Sequence, residues 1–525
     1  MTEGTVLAAF LAVVGAASLL AVAARRFHRT DTLPSLDGWA LADRSLGTGW
    51  SWLLLGGTVF TAYTFTAVPG LAYGNGAPAF FAVPYTVIVC PLAFVLLPRL
   101  WSVARDSGCV TVADFVRGRY GSAPLALAVA LTGILATMPY LALQLLGIRA
   151  VLTVLTAGGA HSPAALLAGD LAMVALFAGL AVATYRHGLR APAVISAFKG
   201  AAVFGSVLAI VWLVLDRFGG PGAVFETAAR RLGDPGGPQA SLLLTPAQQP
   251  AFATLALGSA LALLMYPHVL TVAFAAAGPD TLRRTAVALP AWTAVLALFG
   301  LLGIAAVAAG VRTPAGSAES AVPMLADRLM PAPLAGIVLG AITVGALVPA
   351  AVMSVAAATS FVRNVYVEYV HPTATPKRQV RVAQLVSLTA KAGAVVFVFA
   401  LRDQAAINLQ LLGGVWILQI FPAVAIGLWT RWLHHRALLA GWAAGMGFGT
   451  VMVVREGFSP VVPLGAGGPA VEIYAGLAAL LLNLAVSAAG TVLLRRRGVP
   501  GRPDTTSLAR RPAGPPRPET GTTPP

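Results

Sequence analysis

Residues Thr48–Gly74 read TGWSWLLLGGTVFTAYTFTAVPGLAYG and contain no charged side chain. An uncharged apolar run of this length crosses a bilayer as a helix. Inside it, Ala62–Gly70 (AYTFTAVPG) carries a Pro-Gly pair that interrupts helical hydrogen bonding. Loosened backbone at membrane depth is tolerated only where it is buried in protein or lines a cavity. Two readings follow: the helix simply ends at Val68, or it is discontinuous and its loose ends face a central site.

The rest of the chain repeats this pattern. Of 525 residues, 58% are hydrophobic and 10% charged, against roughly 25% charged in a soluble protein. The surface must therefore face lipid. The apolar runs are continuous, not alternating, which favours helices over a barrel. About 13 spans are expected, near 4–24, 48–74, 77–98, 123–156, 164–186, 192–215, 252–275, 286–311, 331–357, 382–402, 408–430, 437–455 and 471–494. The first run has no basic residue before it and Arg25, Arg26 and Arg29 after it, the reverse of a secretory signal, so it reads as a span with its N-terminus outside.

Charge distribution tests this layout. The segments placed in the cytoplasm hold 25 Lys and Arg and those placed outside hold 7; Arg149, Lys199 and Lys391, within spans, complete the 35. This is the positive-inside bias expected of a multi-pass protein of the bacterial inner membrane with a cytoplasmic C-terminus. The net charge of +16 thus reflects membrane orientation, and no nucleic-acid partner is expected. Cys90 and Cys109 imply no disulfide framework. Residues 1–494 are expected to form one transmembrane domain, with a core near 48–430. The outside loop near 216–251 has room for a short helix, and 495–525, rich in Arg, Pro and Thr, is expected to be a disordered cytoplasmic tail.

Six segments carry a more specific message: Gly38–Gly47 (GWALADRSLG), Ala62–Gly70, Thr111–Ser122 (TVADFVRGRYGS), Ala136–Gly147 (ATMPYLALQLLG), His187–Gly200 (HGLRAPAVISAFKG) and Tyr266–Arg284 (YPHVLTVAFAAAGPDTLRR). Each resembles a segment of the sodium/solute symporter family, in the family's order, over roughly residues 37 to 440. AYTFTAVPG, VPAAVMS (348–354) and QLLGGVWILQ (410–419) most resemble its monocarboxylate permease branch. The resemblance implies an all-α polytopic protein with a leucine-transporter-like core of two inverted five-helix repeats, one extra helix before it and two after. The repeats would begin at the spans 48–74 and 252–275, each broken, with substrate and coupling ion beside the breaks.

The resemblance also implies a sodium site. Its backbone ligands map to Gly57 and Phe60 on the first core helix and to Gly345 on the eighth; its two hydroxyl ligands map to Val348 and Pro349, which have no hydroxyl. Sliding the register would bring in Ser354, Thr359 or Ser360 instead. The family's acidic residue on the fifth core helix maps to Ser196, and one turn on stands Lys199, on the same helix face. An intramembrane lysine usually marks function. Two readings stay open: Lys199 takes the place of sodium and couples transport to protons, or it snorkels to the cytoplasmic surface. Lys391 lies mid-span, Arg149 and Asp170 near outer span ends, where Asp170 is expected to be solvated.

Polar side chains expected near the breaks are Thr61, Thr64, Thr66, Tyr140, Gln144, Tyr266, His268, Thr271, Gln410 and Gln419, with Tyr63 and Trp416 as candidate gates. They are hydroxyls, amides and one imidazole, without a carboxylate cluster for an amine. They suit a small monocarboxylate such as acetate, pyruvate or lactate held at half-helix N-termini. The chain is thus expected to be a secondary symporter of a small organic solute with Na+ or H+ and without a resident cofactor or other metal. A transporter-like sensor working with a separate signalling partner is the second reading. No HExxH-type cluster or activated nucleophile points to an enzyme.

Overall fold

The computed structural model describes residues 2–23, 35–156, 169–179, 188–232, 240–400, 405–464 and 471–508. Among them, ten helices are long and apolar enough to cross a membrane, and two bent helix pairs each make one further span. All twelve fall on expected spans. The remaining expected span, 164–186, is described only as the apolar helix Gly169–Gly179. The loop expected near 216–251 contains the helix Pro221–Arg231, and a small antiparallel hairpin joins Val461–Leu464 to Val471–Tyr474 between the last two spans.

The two bent pairs are Thr48–Val59 with Tyr63–Asn75, turned by 53°, and Pro246–Leu263 with Pro267–Phe274, turned by 45°. They head the two repeats, as expected. The first break, however, lies at Phe60–Ala62, well before Pro69–Gly70. Phe60 adopts an extended conformation (ψ 98°), while a π-helical turn at Tyr63–Ala67 runs directly into the helix Val68–Asn75. The wider turn absorbs the donor that Pro69 lacks. Gly70 has a different use: a Cβ there would meet the Glu319 nitrogen at 2.8 Å, so the small residue admits the segment Ala318–Ser320 against this helix. The second break is at Tyr266 (ψ 134°), and Pro267 opens the next half-helix, where its missing N–H has no intrahelical acceptor to satisfy.

The helix Ala332–Phe361 forms the centre of the core and is buried along nearly its whole length. It packs on Ala123–Leu155 and Arg190–Phe218 and touches both broken pairs. Gly38–Gly47 closes one end of this core: Leu46 N–H donates to Ala275 O (3.1 Å), and Ala277 N–H donates to Leu46 O (2.8 Å). The approach to the fifth core helix needs Gly188, at φ +53°, because a Cβ there would collide with the Trp39 carbonyl. In the Thr111–Ser122 motif, Asp114 accepts from Val110 N–H and Thr111 N–H and from Asn364 Nδ2 (2.8 Å), tying this cap to the end of the eighth core helix.

Two sequence expectations change here. Asp170 is not solvated: it is buried and paired with Arg149 (3.3 Å). Of the tail 495–525 expected to be disordered, the described part continues the last helix to Arg496 and then packs on the body as far as Leu508, while 509–525 lie outside the described residues. Asp504 anchors this strap by pairing with Arg119 and Arg431.

Candidate functional site

Lys199 lies on the helix Arg190–Phe218 and is fully buried. It does not snorkel. Its Nζ donates to the carbonyls of Gly57 (2.5 Å), Phe60 (2.8 Å) and Gly345 (2.8 Å), and lies 5.4 Å from the centre of the Phe65 ring. An ammonium has three N–H donors, and here three carbonyls receive them. Among the described residues no carboxylate pairs with Lys199.

Each of these carbonyls is free for a stated reason. In a continuous helix, Gly57 O and Phe60 O would accept from the N–H groups of Thr61 and Thr64. The break removes both, since Thr64 N–H donates to Thr61 O instead (2.8 Å). Gly345 O would accept from residue 349, which is proline and has no N–H. Pro349, which offers no hydroxyl of its own, therefore exposes the third acceptor. Val348 is buried and adds no oxygen. Ser196 Oγ donates back to Pro192 O (2.7 Å), and Ser354 and Thr359 bond carbonyls of their own helix. Sodium at this place would find the converging carbonyls held by the ammonium and neither family hydroxyl; the residues present do not fit it.

A second buried polar group begins a few residues along the same break. Ala62 N–H donates to Gln144 Oε1 (3.1 Å), and Tyr63 N–H donates to Thr61 Oγ1 (3.1 Å). Gln144 and Thr61 thus cap the N-terminus of the second half-helix. Tyr140 packs edge-on against Tyr266 (5.2 Å) and His268 (5.3 Å), and the Tyr266 hydroxyl donates to Gln410 O (3.1 Å). Neither nitrogen of His268 has a partner, and neither do Thr64 Oγ1 and Gln410 Oε1. The Tyr140 and Tyr63 hydroxyls make no hydrogen bond of ordinary geometry; they neighbour Thr61 and Tyr85 respectively. Buried polar atoms without partners are uncommon, and a concentration of them needs an explanation.

Not every expected residue joins this group. Thr66 Oγ1 donates to Ala62 O (2.8 Å) and is satisfied within its own turn. Gln419 is held by its own helix and by Asn483 on the last span, and Trp416 donates to Thr450 (3.1 Å); both join the core to the extra helices. Lys391 is buried with Ser387 Oγ at 3.1 Å, apart from both centres. Tyr85, not singled out in the sequence, packs against Tyr63 with ring centres 6.0 Å apart. Its one visible signal was a tyrosine within a span.

Paired broken helices around a buried polar centre define a secondary transporter. Residues 39–444 match the Sodium:solute symporter family, and the chain belongs to that family. It is 44% identical over 492 residues to the monocarboxylate transport permease protein of Rhizobium johnstonii, covering 94% of this chain and 97% of that protein. It is 30% identical over 427 residues to the uncharacterized symporter YodF of Bacillus subtilis, covering 80% and 83%. In fold it resembles a Na+-coupled sialic acid symporter in its substrate-bound outward-open state (TM-score 0.73, 16% identity, 95% and 99% covered). It also resembles Mhp1, a nucleobase-cation-symport-1 family transporter, in a closed conformation (TM-score 0.50, 14% identity, 89% and 95% covered).

Proposed function

We propose that this protein takes up small monocarboxylates together with a proton, and that Lys199 carries the proton. The three-carbonyl cradle around Nζ carries this reading. A neutral amine has two N–H donors and a lone pair, so deprotonation would leave one carbonyl unpaired and set a lone pair against it. Protonation draws the first core helix toward the eighth; release of the proton frees them. Because Phe60 belongs to the break whose next turn is capped by Gln144, the ion step and the substrate region share one movable segment.

The monocarboxylate assignment is supported by the Rhizobium relative's name and by a polar set of hydroxyls, amides and imidazole. The substrate carboxylate would accept from the half-helix N-terminus at Ala62–Tyr63, with Thr61, Thr64, Tyr140, Gln144, Tyr266, His268 and Gln410 around it. The charge distribution supports an inner-membrane location with the N-terminus outside and the C-terminus in the cytoplasm. Sodium coupling is the second reading, favoured by the family's name.

The test is radiolabelled pyruvate uptake into proteoliposomes under a proton gradient alone and a sodium gradient alone. Uptake with protons and none with sodium is expected. Sodium-driven uptake that survives Lys199→Gln would overturn proton coupling. Absence of uptake under either gradient would overturn the pyruvate assignment.

A further inference from the structure

Away from the transport core, a cavity of about 350 Å³ opens on the face read as cytoplasmic, between the cap helix Val112–Tyr120, the last two spans and the strap at 498–508. Four arginines line it, Arg119, Arg431, Arg495 and Arg502, with one carboxylate, Asp504. That carboxylate is spent. Its Oδ2 pairs with Arg119 and with Arg431 (3.3 Å), and its Oδ1 accepts from Thr506 N–H (2.9 Å) and Thr506 Oγ1 (2.6 Å).

Arg495 and Arg502 have no carboxylate partner among the described residues. Each gives one hydrogen bond to a backbone carbonyl, Arg495 to Arg431 O (3.4 Å) and Arg502 to Gly121 O (2.9 Å). A guanidinium has five donors, so most of theirs remain for a ligand. The helix His435–Arg455 begins at the same cavity, and its N-terminal dipole adds to the positive field. The His434 ring accepts from Arg436 N–H through Nδ1 (3.2 Å), and its Nε2 faces Pro500 O.

We propose that this cavity binds a phosphate group, with Arg495 and Arg502 as its principal donors. Guanidiniums match phosphate oxygens in charge and in bidentate geometry. The phosphate could be supplied by an anionic phospholipid headgroup or by a soluble phosphate. Basic pockets among cytoplasmic helix ends take lipid headgroups, and half-exposed Trp429, with Arg99 5.2 Å from its ring, marks the interfacial level nearby.

The experiment uses the purified full chain in phosphatidylcholine nanodiscs, read by melting temperature. One arm replaces part of the lipid with phosphatidylglycerol; the other adds inorganic phosphate. A rise in one arm, beyond that given by sodium chloride at equal ionic strength, is expected and names the source. Arg495→Gln with Arg502→Gln should weaken the response at least about tenfold, and the paired Lys variants, which retain charge, should keep most of it. Native mass spectrometry of the unaltered protein reads retained phospholipid without relying on any variant. No rise in either arm and no retained lipid, or a Gln pair that responds like the unaltered chain, would overturn the site.

Discussion

Two buried polar centres meet at one break in the first core helix, and they differ in how they are satisfied. Around Lys199, three donors meet three carbonyls. Around His268 and Gln410, at least three buried polar atoms have no partner. The first centre supplies its own cation; the second leaves donors and acceptors that a hydrogen-bonding guest would meet. Stability alone explains neither, since an apolar core of the same shape would serve as well or better. On the function proposed above, the contrast separates the two jobs of a symporter: a group whose charge changes with its protonation, and a transient guest that fills unmet hydrogen bonds.

The sharpest way to break this comparison is Lys199→Gln. It removes the ammonium and leaves the three carbonyls without their charged donor, each such bond worth about 1.5–3 kcal/mol. Proton-driven uptake should fall at least about a hundredfold, equivalent to about 3 kcal/mol. Exchange of labelled for unlabelled pyruvate at equal pH on both sides checks that the substrate centre survives. If driven uptake persists, Lys199 is only structural.

Pro349→Ala tests the same centre without touching the lysine. Alanine restores an N–H to residue 349, which then competes with Lys199 for Gly345 O. Uptake should fall about tenfold, by the loss of one charge-assisted bond, and its pH profile should move, while the helix itself gains stability. Uptake and a pH profile matching the unaltered protein would show that Gly345 O is dispensable.

At the other centre the expected signs for stability and function oppose each other. His268→Leu removes two unpaired buried nitrogens, so the melting temperature should rise, by about 1 kcal/mol of stability. Pyruvate uptake should fall severalfold through a higher KM, with its dependence on the proton gradient unchanged. A drop in stability instead would mean that the imidazole nitrogens are satisfied in the membrane and that the two centres are less different than they look.

Much of this was legible in the sequence, and the failures have physical causes. Continuous apolar runs and arginine placement gave the spans, since lipid and membrane orientation constrain composition residue by residue. The i, i+3 relation of Ser196 and Lys199 placed the lysine on the helix face that meets the carbonyls of Gly57, Phe60 and Gly345. The position of the break was misread because Pro69 is the obvious interruption, whereas a π-helical turn at Tyr63–Ala67 accommodates it and the chain unwinds at Phe60, which has no helix-breaking signature. Pro349 was read as a missing ligand because side chains are visible in a sequence and the carbonyl a proline frees is not. Pairing across distant segments, as in Arg149–Asp170 or Arg119–Asp504, leaves no local pattern to read.

The smallest expected effect lies at one edge of the core and extends the comparison to a carboxyl group. Glu319 is partly buried, with its backbone against Gly70, and its Oε1 accepts from Ala406 N–H (2.8 Å), capping the helix Ala406–Ile417 that carries Gln410. Burial pushes its carboxyl above the ordinary 4.5, against the opposing pull of the Ala406 and Glu319 N–H groups and of Arg149. The folded protein therefore holds this proton more tightly than the unfolded chain does. Its contribution is fully present below 4.5 and is lost as pH rises through the raised value. Melting temperature should decline across that window, by ~2 °C or less. Glu319→Gln keeps the acceptor for Ala406 N–H and removes the titration, so the decline should flatten. An unchanged slope would assign it to other groups. A flattened slope with unchanged uptake would make Glu319 a clasp on this end of the core, separate from the proton proposed for Lys199.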